Sequence, residues 1–297
     1  MFRFNFLRRA IGQKLDQFFA VLNKRFNSSD CKNFDGEATF ALVTVNFSTT
    51  YYLKLMLLTL CEQNNLDKIS QIIVVDNHSK DGGTIFLKQL SQSVKKVECV
   101  NNYFFKTHAR GVRIGIEHLN QLSSKNASNA NILMVCDTDI IFRNKDTLNK
   151  ISEIFESSDA AFVGELRYSN TVCPQAQASF LCVRRDIYSR IDIKPFVNHG
   201  SPAYWMQKSL WKAGLKLHDF KSNHGGFILH RGRSGVAAAK KHHPMSSFAQ
   251  VENNQAHYMG VENGDQIWQA AEKKYSELLK KENEKSLIDY LSQKLVN

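Results

Sequence analysis

Two aspartates separated by one residue follow a short apolar segment near the middle of the chain. The segment is Ile132–Cys136, and the aspartates are Asp137 and Asp139. Carboxylate oxygens are hard ligands, so two of them at the end of a strand can approach the same divalent cation. Such a cation neutralises a leaving diphosphate and orients the substrate that carries it. The pair therefore indicates a metal site for a phosphorylated substrate, although an Asp-x-Asp sequence also arises by chance in loops.

A third aspartate, Asp76, follows another apolar segment, residues 72–75. A carboxylate there can accept a hydrogen bond from a nucleobase N–H or from a ribose hydroxyl. Asn77, Ser79 and Gly82 have the residue types that shape a turn, and an ordinary Asx turn before a helix is the alternative interpretation.

Apolar segments with strand character alternate with segments of helical periodicity. The predicted strands are 40–45, 72–75, 97–100, 132–136, 160–166, 178–183 and 227–229, and the predicted helices are 52–62, 84–90, 111–121, 148–157 and 203–213. This alternation predicts an α/β fold with a mixed, mostly parallel sheet flanked by helices. Ligands of such sheets bind at the carboxyl ends of the strands, where Asp76, Asp137 and Asp139 are expected to lie.

Bulk composition narrows the class of protein. The 297 residues are 43% hydrophobic and carry a formal charge of +11, which is typical of a globular protein with polyanionic partners. The basic residues are spread along the chain without interleaved aromatics, which argues against nucleic acid as a partner. No apolar run approaches the ~18 residues of a membrane-spanning helix. Six scattered cysteines without a C-x-x-C pair favour the reducing cytoplasm over a disulfide framework or a zinc site.

Both ends of the chain are predicted to be helical and to lie outside the alternating strands and helices. Residues 1–26 predict a basic amphipathic helix, which favours contact with an anionic membrane surface, although a helix packed on the domain would give the same pattern. Residues 27–37 are polar and complete this N-terminal unit as a linker. Residues 237–297 begin with AAAKKHH and predict a C-terminal helical extension. The chain is therefore expected in the cytoplasm, with peripheral contact on the inner face of a membrane.

Several of these segments together resemble the glycosyltransferases of the GT-A fold, and within them the rhamnosyltransferase-like branch of the inverting family 2. IIVVDNHSKDGG at 72–83 resembles the family's nucleotide-binding signature, and VCDTDIIF at 135–142 resembles its metal-binding strand. VTVNF at 43–47 is similar to the family's first strand, and FILHRG at 227–232 to a segment where many members place a third metal ligand. The resemblance spans roughly residues 38–235, and the expected glycosyltransferase domain comprises residues 38–236.

The resemblance implies a role for each matching position. The expected metal ligands are Asp137, Asp139 and His230, and the metal is Mn²⁺ or Mg²⁺. The residues expected to contact the nucleotide-sugar are Val45, Asn46, Asp76, Asn77, Ser79, Arg110, Arg113, Asp137, Thr138, Arg231 and Arg233. The implied reaction moves a sugar from a UDP-, dTDP- or GDP-linked donor to a hydroxyl of a glycan, a lipid-linked acceptor or a small acceptor.

One departure from the family concerns the base that deprotonates the acceptor hydroxyl. Members carry an acidic pair before the acceptor-side helix, but this chain has no carboxylate between Asp192 and Asp219. His199 is the nearest ionisable residue, and its ordinary pKa suits a general base. Asp192 and Asp219 are the alternatives, and an enzyme that retains configuration would need no such base.

Two other functions are also compatible with the sequence. The missing acidic pair is also compatible with a catalytically altered protein that has a binding or assembly role at the membrane. A nucleotidyltransferase would share the sheet and the strand-end carboxylates. It would be expected to carry a Gly- and Lys/Arg-rich loop after the first strand, and NFSTTYY has neither feature.

Overall fold

The computed structural model describes residues 14–15, 18–22, 24, 34–103, 107–125, 128–168, 173–198 and 201–296. His199 and most of the predicted N-terminal helix lie outside these residues. The described residues between 14 and 24 have helical backbone, as predicted. In the described part of the chain, no helix is long and apolar enough to cross a bilayer.

A seven-stranded sheet forms the centre of the molecule, with the strand order β3-β2-β1-β4-β7-β6-β8, and two further strands, β5 and β9, pair separately. The strands are Phe40–Asn46 (β1), Ile69–Asp76 (β2), Val97–Asn101 (β3), Ile132–Cys136 (β4), Ile140–Phe142 (β5), Ala160–Gly164 (β6), Phe180–Arg184 (β7), Lys216–Asp219 (β8) and Ile228–His230 (β9). The first four strands run parallel, and β7 is antiparallel to both of its neighbours. This confirms the mixed, mostly parallel α/β sheet.

Helices cover both faces of the sheet. They are Thr50–Leu60 (α1), Thr84–Ser93 (α2), His108–Ser124 (α3), Thr147–Ser157 (α4), Arg185–Ser189 (α5), Tyr204–Lys212 (α6), Ser234–His242 (α7), Gly264–Lys274 (α8), Ser276–Leu279 (α9) and Glu284–Lys294 (α10). Apolar residues of α1, α2, α4, α8, α9 and α10 pack on one face, and those of α3, α5 and α6 pack on the other. The central strands are buried on both faces, which explains why they read as continuous apolar runs.

The C-terminal helices belong to the same hydrophobic core as the sheet. Trp268 in α8 and Leu287 and Leu291 in α10 are almost fully buried, and they join the cluster formed by α1, α2 and β1. Helix α10 packs directly on α2. The predicted C-terminal extension therefore contributes apolar surface to the domain that carries the strand-end aspartates.

The strands and helices predicted between residues 40 and 229 are present, with changes at their ends. Helix α6 ends before Gly214, whose φ of +70° is the left-handed conformation that glycine adopts readily. The sequence interpretation missed β5 and β8, which contain three and four residues. Strands this short have too few residues to show an alternating pattern, and β5 follows Asp139 directly.

Candidate metal and nucleotide site

A pair of short strands brings the predicted metal ligands together. Asp137 follows β4, Asp139 precedes β5, and His230 ends β9. The antiparallel pairing of β5 with β9 places Ile140 opposite His230. As a result, Nε2 of His230 lies 3.3 Å from Oδ1 of Asp139 and 3.6 Å from Oδ2 of Asp137.

These three side chains fit a divalent cation. One ligand atom from each of Asp137, Asp139 and His230 lies within 4.8 Å of the other two. Neighbouring ligands of an octahedral ion with bonds of about 2.1 Å are about 3 Å apart, so the two distances to His230 need only a small contraction. Two carboxylates and one imidazole suit a borderline cation such as Mn²⁺. The metal ligands predicted from the sequence therefore converge at one point.

The electrostatics of Asp139 and His230 favour a charged pair when no metal is present. Burial opposes ionisation of Asp139, but the charge of His230 and hydrogen bonds from His230 and Ser234 lower the pKa of Asp139 to about 2. Burial alone would lower the pKa of His230, but the carboxylates of Asp139 and Asp137 outweigh it and raise that pKa. A cation bound here would take over the charge-neutralising role of His230.

Asp137 lies between two imidazole rings. Its Oδ1 is 3.5 Å from Nε2 of His108, and its Oδ2 faces His230. Burial raises the pKa of Asp137, the two histidines oppose this effect, and Asp139 adds to it. His108 is the first residue of α3, and this position brings its ring to Asp137, whereas the sequence predicted a role only for Arg110 and Arg113 of that helix.

Asp137, Asp139 and His230 line a cavity of about 300 Å³. Its walls come from the ends of β1, β2, β4 and β9, from the start of α3, and from the segment that includes α7. The lining residues are Val45, Phe47, Thr49, Asn77, His108, Asp137, Thr138, Asp139, His230, Gly232, Arg233, Ser234, Gly235, Val236, Phe248 and His257. A space of this size at the carboxyl edge of a parallel sheet suits a small ligand.

The turn after β9 fixes one wall of this cavity. The N–H of Ser234 donates to Oδ2 of Asp139 at 3.3 Å, and the N–H of Arg231 donates to the carbonyl of Asp139 at 2.9 Å. Gly232 has a φ of +73°, and a Cβ on it would lie 2.3 Å from Nε2 of His257. Only glycine combines this backbone with so close an approach of the histidine ring.

A hydrogen-bond network anchors the ends of β1 and β2. The fully buried Asn46 donates from Nδ2 to Oδ1 of Asp76 at 3.0 Å and to Oγ of Ser79 at 3.0 Å, and its Oδ1 accepts from the N–H and hydroxyl of Thr49. The hydroxyl and N–H of Ser79 donate to the two oxygens of Asp76. In this structure, Asn46, Asp76 and Ser79 bind one another and do not line the cavity.

Two of the neighbouring predicted residues face the cavity directly. Val45 and Asn77 both line it, and Oδ1 of Asn77 accepts from Nδ2 of Asn102 at 2.7 Å. The hydroxyl of Thr138 lies 2.9 Å from that of Thr49, so the residue between the two metal-site aspartates is tied to the start of α1.

The four predicted arginines occupy different environments. Nη1 of Arg113 donates to the carbonyl of Phe196 at 2.8 Å, so this buried guanidinium supports the loop before α6. The guanidinium of Arg231 lies over the Tyr52 ring, 5.1 Å from its centroid. Arg110 lies in the first turn of α3, and its side chain is not among those that line the cavity, whereas the exposed Arg233 is.

The two candidate bases that the structure describes lie away from the cavity. Asp192 is exposed and pairs with Arg190 at 2.7 Å. Asp219 accepts from the N–H of Leu166 at 2.9 Å and pairs with Lys221 at 2.9 Å. Neither aspartate is among the cavity-lining residues.

Besides His108, three aromatic or imidazole residues that line the cavity were not predicted. Phe47, the residue after Asn46, stacks on His243 with ring centroids 4.3 Å apart and planes 18° apart. Phe248 lies 6.4 Å from Phe47, and His257 contacts His230 edge-on at 6.1 Å. Phe47 could have been predicted as a cavity residue because it follows Asn46 directly. Phe248 and His257 lie in a segment without regular structure, where no sequence pattern indicates a position in the cavity.

Comparison with known proteins finds similarity in structure and not in sequence. No protein-family model and no curated protein sequence matches the chain. Among solved structures, the mannosyltransferase PcManGT from Pyrobaculum calidifontis, in complex with GDP-Man and Mn²⁺, aligns over 96% of this chain and 96% of its own, with 13% identity and a TM-score of 0.50.

Two further structures show weaker similarity. S. aureus TarS, residues 1–349, aligns over 86% of this chain and 87% of its own with 11% identity and a TM-score of 0.45. GalNAc-T7 with UDP, GalNAc and Mn²⁺ aligns over 62% of this chain and 42% of its own with 10% identity and a TM-score of 0.45. The architecture of the sheet and the similarity to PcManGT together show that this chain has the GT-A fold of glycosyltransferases.

Proposed function

We propose that this chain is a metal-dependent glycosyltransferase that moves a sugar from a nucleotide-diphosphate donor to an acceptor hydroxyl. The observation that carries the proposal is the convergence of Asp137, Asp139 and His230 in a cavity at the carboxyl edge of a GT-A sheet. PcManGT, which shares the fold, was solved with GDP-Man and Mn²⁺, and a donor of the same class is proposed here.

One group of cavity residues is proposed to contact the diphosphate of such a donor, and another group its nucleoside. Asp137, Asp139 and His230 would hold Mn²⁺ or Mg²⁺, which would neutralise the diphosphate leaving group as a Lewis acid. Arg233 lines the cavity near these ligands and is the proposed donor of a charge-assisted hydrogen bond to the phosphates. Val45, Phe47 and Asn77 lie at the ends of β1 and β2 and form the proposed nucleoside contact.

His199 is the residue proposed to activate the acceptor. An inverting displacement needs a base within hydrogen-bond reach of the attacking hydroxyl. His199 stays the proposed base, because Asp192 and Asp219 are held by Arg190 and Lys221 outside the cavity. The proposed acceptor is a hydroxyl of a glycan, of a lipid-linked molecule or of a small molecule.

Peripheral membrane contact is proposed for the N-terminal segment. Leu15, Phe18 and Phe19 are exposed by 51%, 59% and 53%, which leaves a small apolar surface in a segment whose sequence is basic. Leu15→Ser/Phe18→Ser/Phe19→Ser is expected to reduce sedimentation with anionic vesicles. Equal sedimentation of the variant and the unaltered protein would exclude this role.

A thermal-shift panel tests the proposed donor class. UDP-, GDP- and dTDP-linked sugars are added with Mn²⁺ and with EDTA. A donor that binds only the folded state raises the melting temperature, so one nucleotide class is expected to stabilise the protein in Mn²⁺ and to have little effect in EDTA. The proposal fails if no donor shifts the melting temperature in Mn²⁺.

A further inference from the structure

A second cavity, of about 390 Å³, lies on the other side of α7 from the metal site. Thr49 and Ser234 line both cavities, so the two spaces share a wall. The second cavity is bounded by the starts of α1 and α2, by one face of α7 and by the C-terminal residues around Lys281. None of the residues predicted individually to bind the metal or the nucleotide-sugar lines it, whereas Asp81, Gly82 and Gly83 at the end of the segment 72–83 do.

The charged residues in this cavity give it a positive character. Lys54, Lys241, His242 and Lys281 line it, and its only acidic lining residues among those described are Asp81 and Glu284.

Both of these acids already have partners within the protein. Asp81 accepts from the N–H of Thr50 at 2.8 Å and from the N–H of Gly83 at 3.1 Å. Glu284 accepts from Nζ of Lys54 at 2.6 Å. The acids therefore neutralise a helix end and the buried Lys54, and they leave Lys241 and Lys281 uncompensated.

The two uncompensated ammonium groups come from separate elements. Lys241 lies in the last turn of α7, and Lys281 begins the short helical turn that follows α9. Within the described residues, neither has a carboxylate at ion-pair distance. A Cβ built on Gly82, whose φ is +80°, would lie 3.8 Å from Nζ of Lys281, so this amine lies close to the glycine turn.

We propose that this cavity is a second ligand site, which binds the phosphate or diphosphate group of a small anionic molecule between Lys241 and Lys281. Two lysines that line one cavity from separate elements can approach different oxygens of one such group, and each adds a charge-assisted contact. A space of this volume accepts a phosphate together with part of the molecule that carries it. The group can belong to a soluble metabolite or to a lipid headgroup. The proposal does not depend on the glycosyltransferase assignment.

Calorimetric titration with inorganic phosphate and pyrophosphate tests the site directly. The full-length protein, Lys241→Gln/Lys281→Gln and the control Lys273→Gln/Lys285→Gln are titrated in EDTA, which removes metal-dependent binding at Asp137 and Asp139. The control removes the same charge from exposed positions of α8 and α10. Circular dichroism and melting temperature confirm that each variant folds.

We expect pyrophosphate to bind about tenfold more weakly to the Lys241/Lys281 variant than to the control variant. In a second arm, the three proteins are sedimented with phosphatidylcholine vesicles and with vesicles that contain phosphatidic acid. If only the Lys241/Lys281 variant sediments less with the phosphatidic acid vesicles, and pyrophosphate binding does not change, the site is supported and its ligand is a lipid headgroup. Indistinguishable behaviour of the two double variants in both arms overturns the proposal.

Discussion

The main-chain N–H of Ser234 lies 3.3 Å from Oδ2 of Asp139, and the other oxygen of that carboxylate faces His230. The first residue of α7 therefore orients a proposed metal ligand. The turn Arg231–Arg233 joins that helix to β9, so both partners of Asp139 come from one short segment. The geometry of the proposed metal site consequently depends on the backbone of this turn.

Gly232→Ala is expected to lower the free energy of unfolding by about 1–3 kcal/mol, because its φ is +73° and its Cβ would collide with His257. Gly235→Ala is the matched control, since a Cβ there meets nothing within 4 Å. Urea unfolding of both variants measures the difference. Equal urea midpoints of the two variants would show that the turn tolerates a side chain and that the close approach of His257 does not affect stability.

Asn46→Ala is expected to lower the free energy of unfolding by about 2–3 kcal/mol, because it removes the buried hydrogen bonds that Asn46 makes with Asp76 and Thr49. Asn149→Ala removes only a 3.3 Å contact to Asp146 and serves as the control. Chemical denaturation measures both. A loss for Asn46→Ala no larger than that of the control would mean that the network does not hold the two strand ends together.

Much of the proposed metal site could be predicted because the main signals are local. Asp137 and Asp139 follow an apolar strand directly, and the rule that parallel strands gather ligands at their carboxyl ends places them at the edge of the sheet. His230 required the family resemblance, because its approach to Asp139 depends on the pairing of two three-residue strands. The roles of the individual residues stay predictions until they are measured.

Other contacts depend on tertiary packing that the sequence pattern does not encode. Asp76 has the spacing of a ligand-binding residue, but the side chains of Asn46 and Ser79 bind its carboxylate in this structure. His257 reaches the cavity because Gly232 has no side chain. Neither close approach leaves a periodic signal in the sequence.

Leu287→Ala in α10 is expected to lower the free energy of unfolding by about 2–5 kcal/mol, because the side chain is fully buried in the cluster that covers one face of the sheet. Val296→Ala, at a side chain that is 62% exposed, should change stability by less than about 0.5 kcal/mol. Thermal and urea unfolding compare them. Equal stability of both variants would show that the C-terminal helices are not part of the core.

Glu156 is expected to make stability depend on pH in the acid range. Burial opposes its ionisation, but the ammonium of Lys68 and the N–H of Ala38 lower its pKa in the folded state. Because the folded pKa lies below the unfolded one, this stabilisation is present above about pH 4.3 and disappears as the pH falls through the lowered value.

Glu156→Gln removes this contribution, which is below about 1 kcal/mol because the pair is partly exposed. Its difference in stability from the unaltered protein should therefore shrink from pH 6 to pH 3. Glu153→Gln, which affects an exposed pair with Lys150, is the control. A difference that stays constant across this range would exclude the coupling.

Calorimetric titration of Mn²⁺ into the metal-free protein tests the proposed site most directly. The comparison uses Asp139→Asn and the control Asp159→Asn, which alters an exposed carboxylate paired only with Lys216 among the described residues. We expect one Mn²⁺ per chain, affinity weakened at least about tenfold by Asp139→Asn, and affinity within about twofold of the unaltered protein for the control. Mn²⁺ binding that is equally tight in Asp139→Asn would contradict the assignment of Asp137, Asp139 and His230 as the metal site.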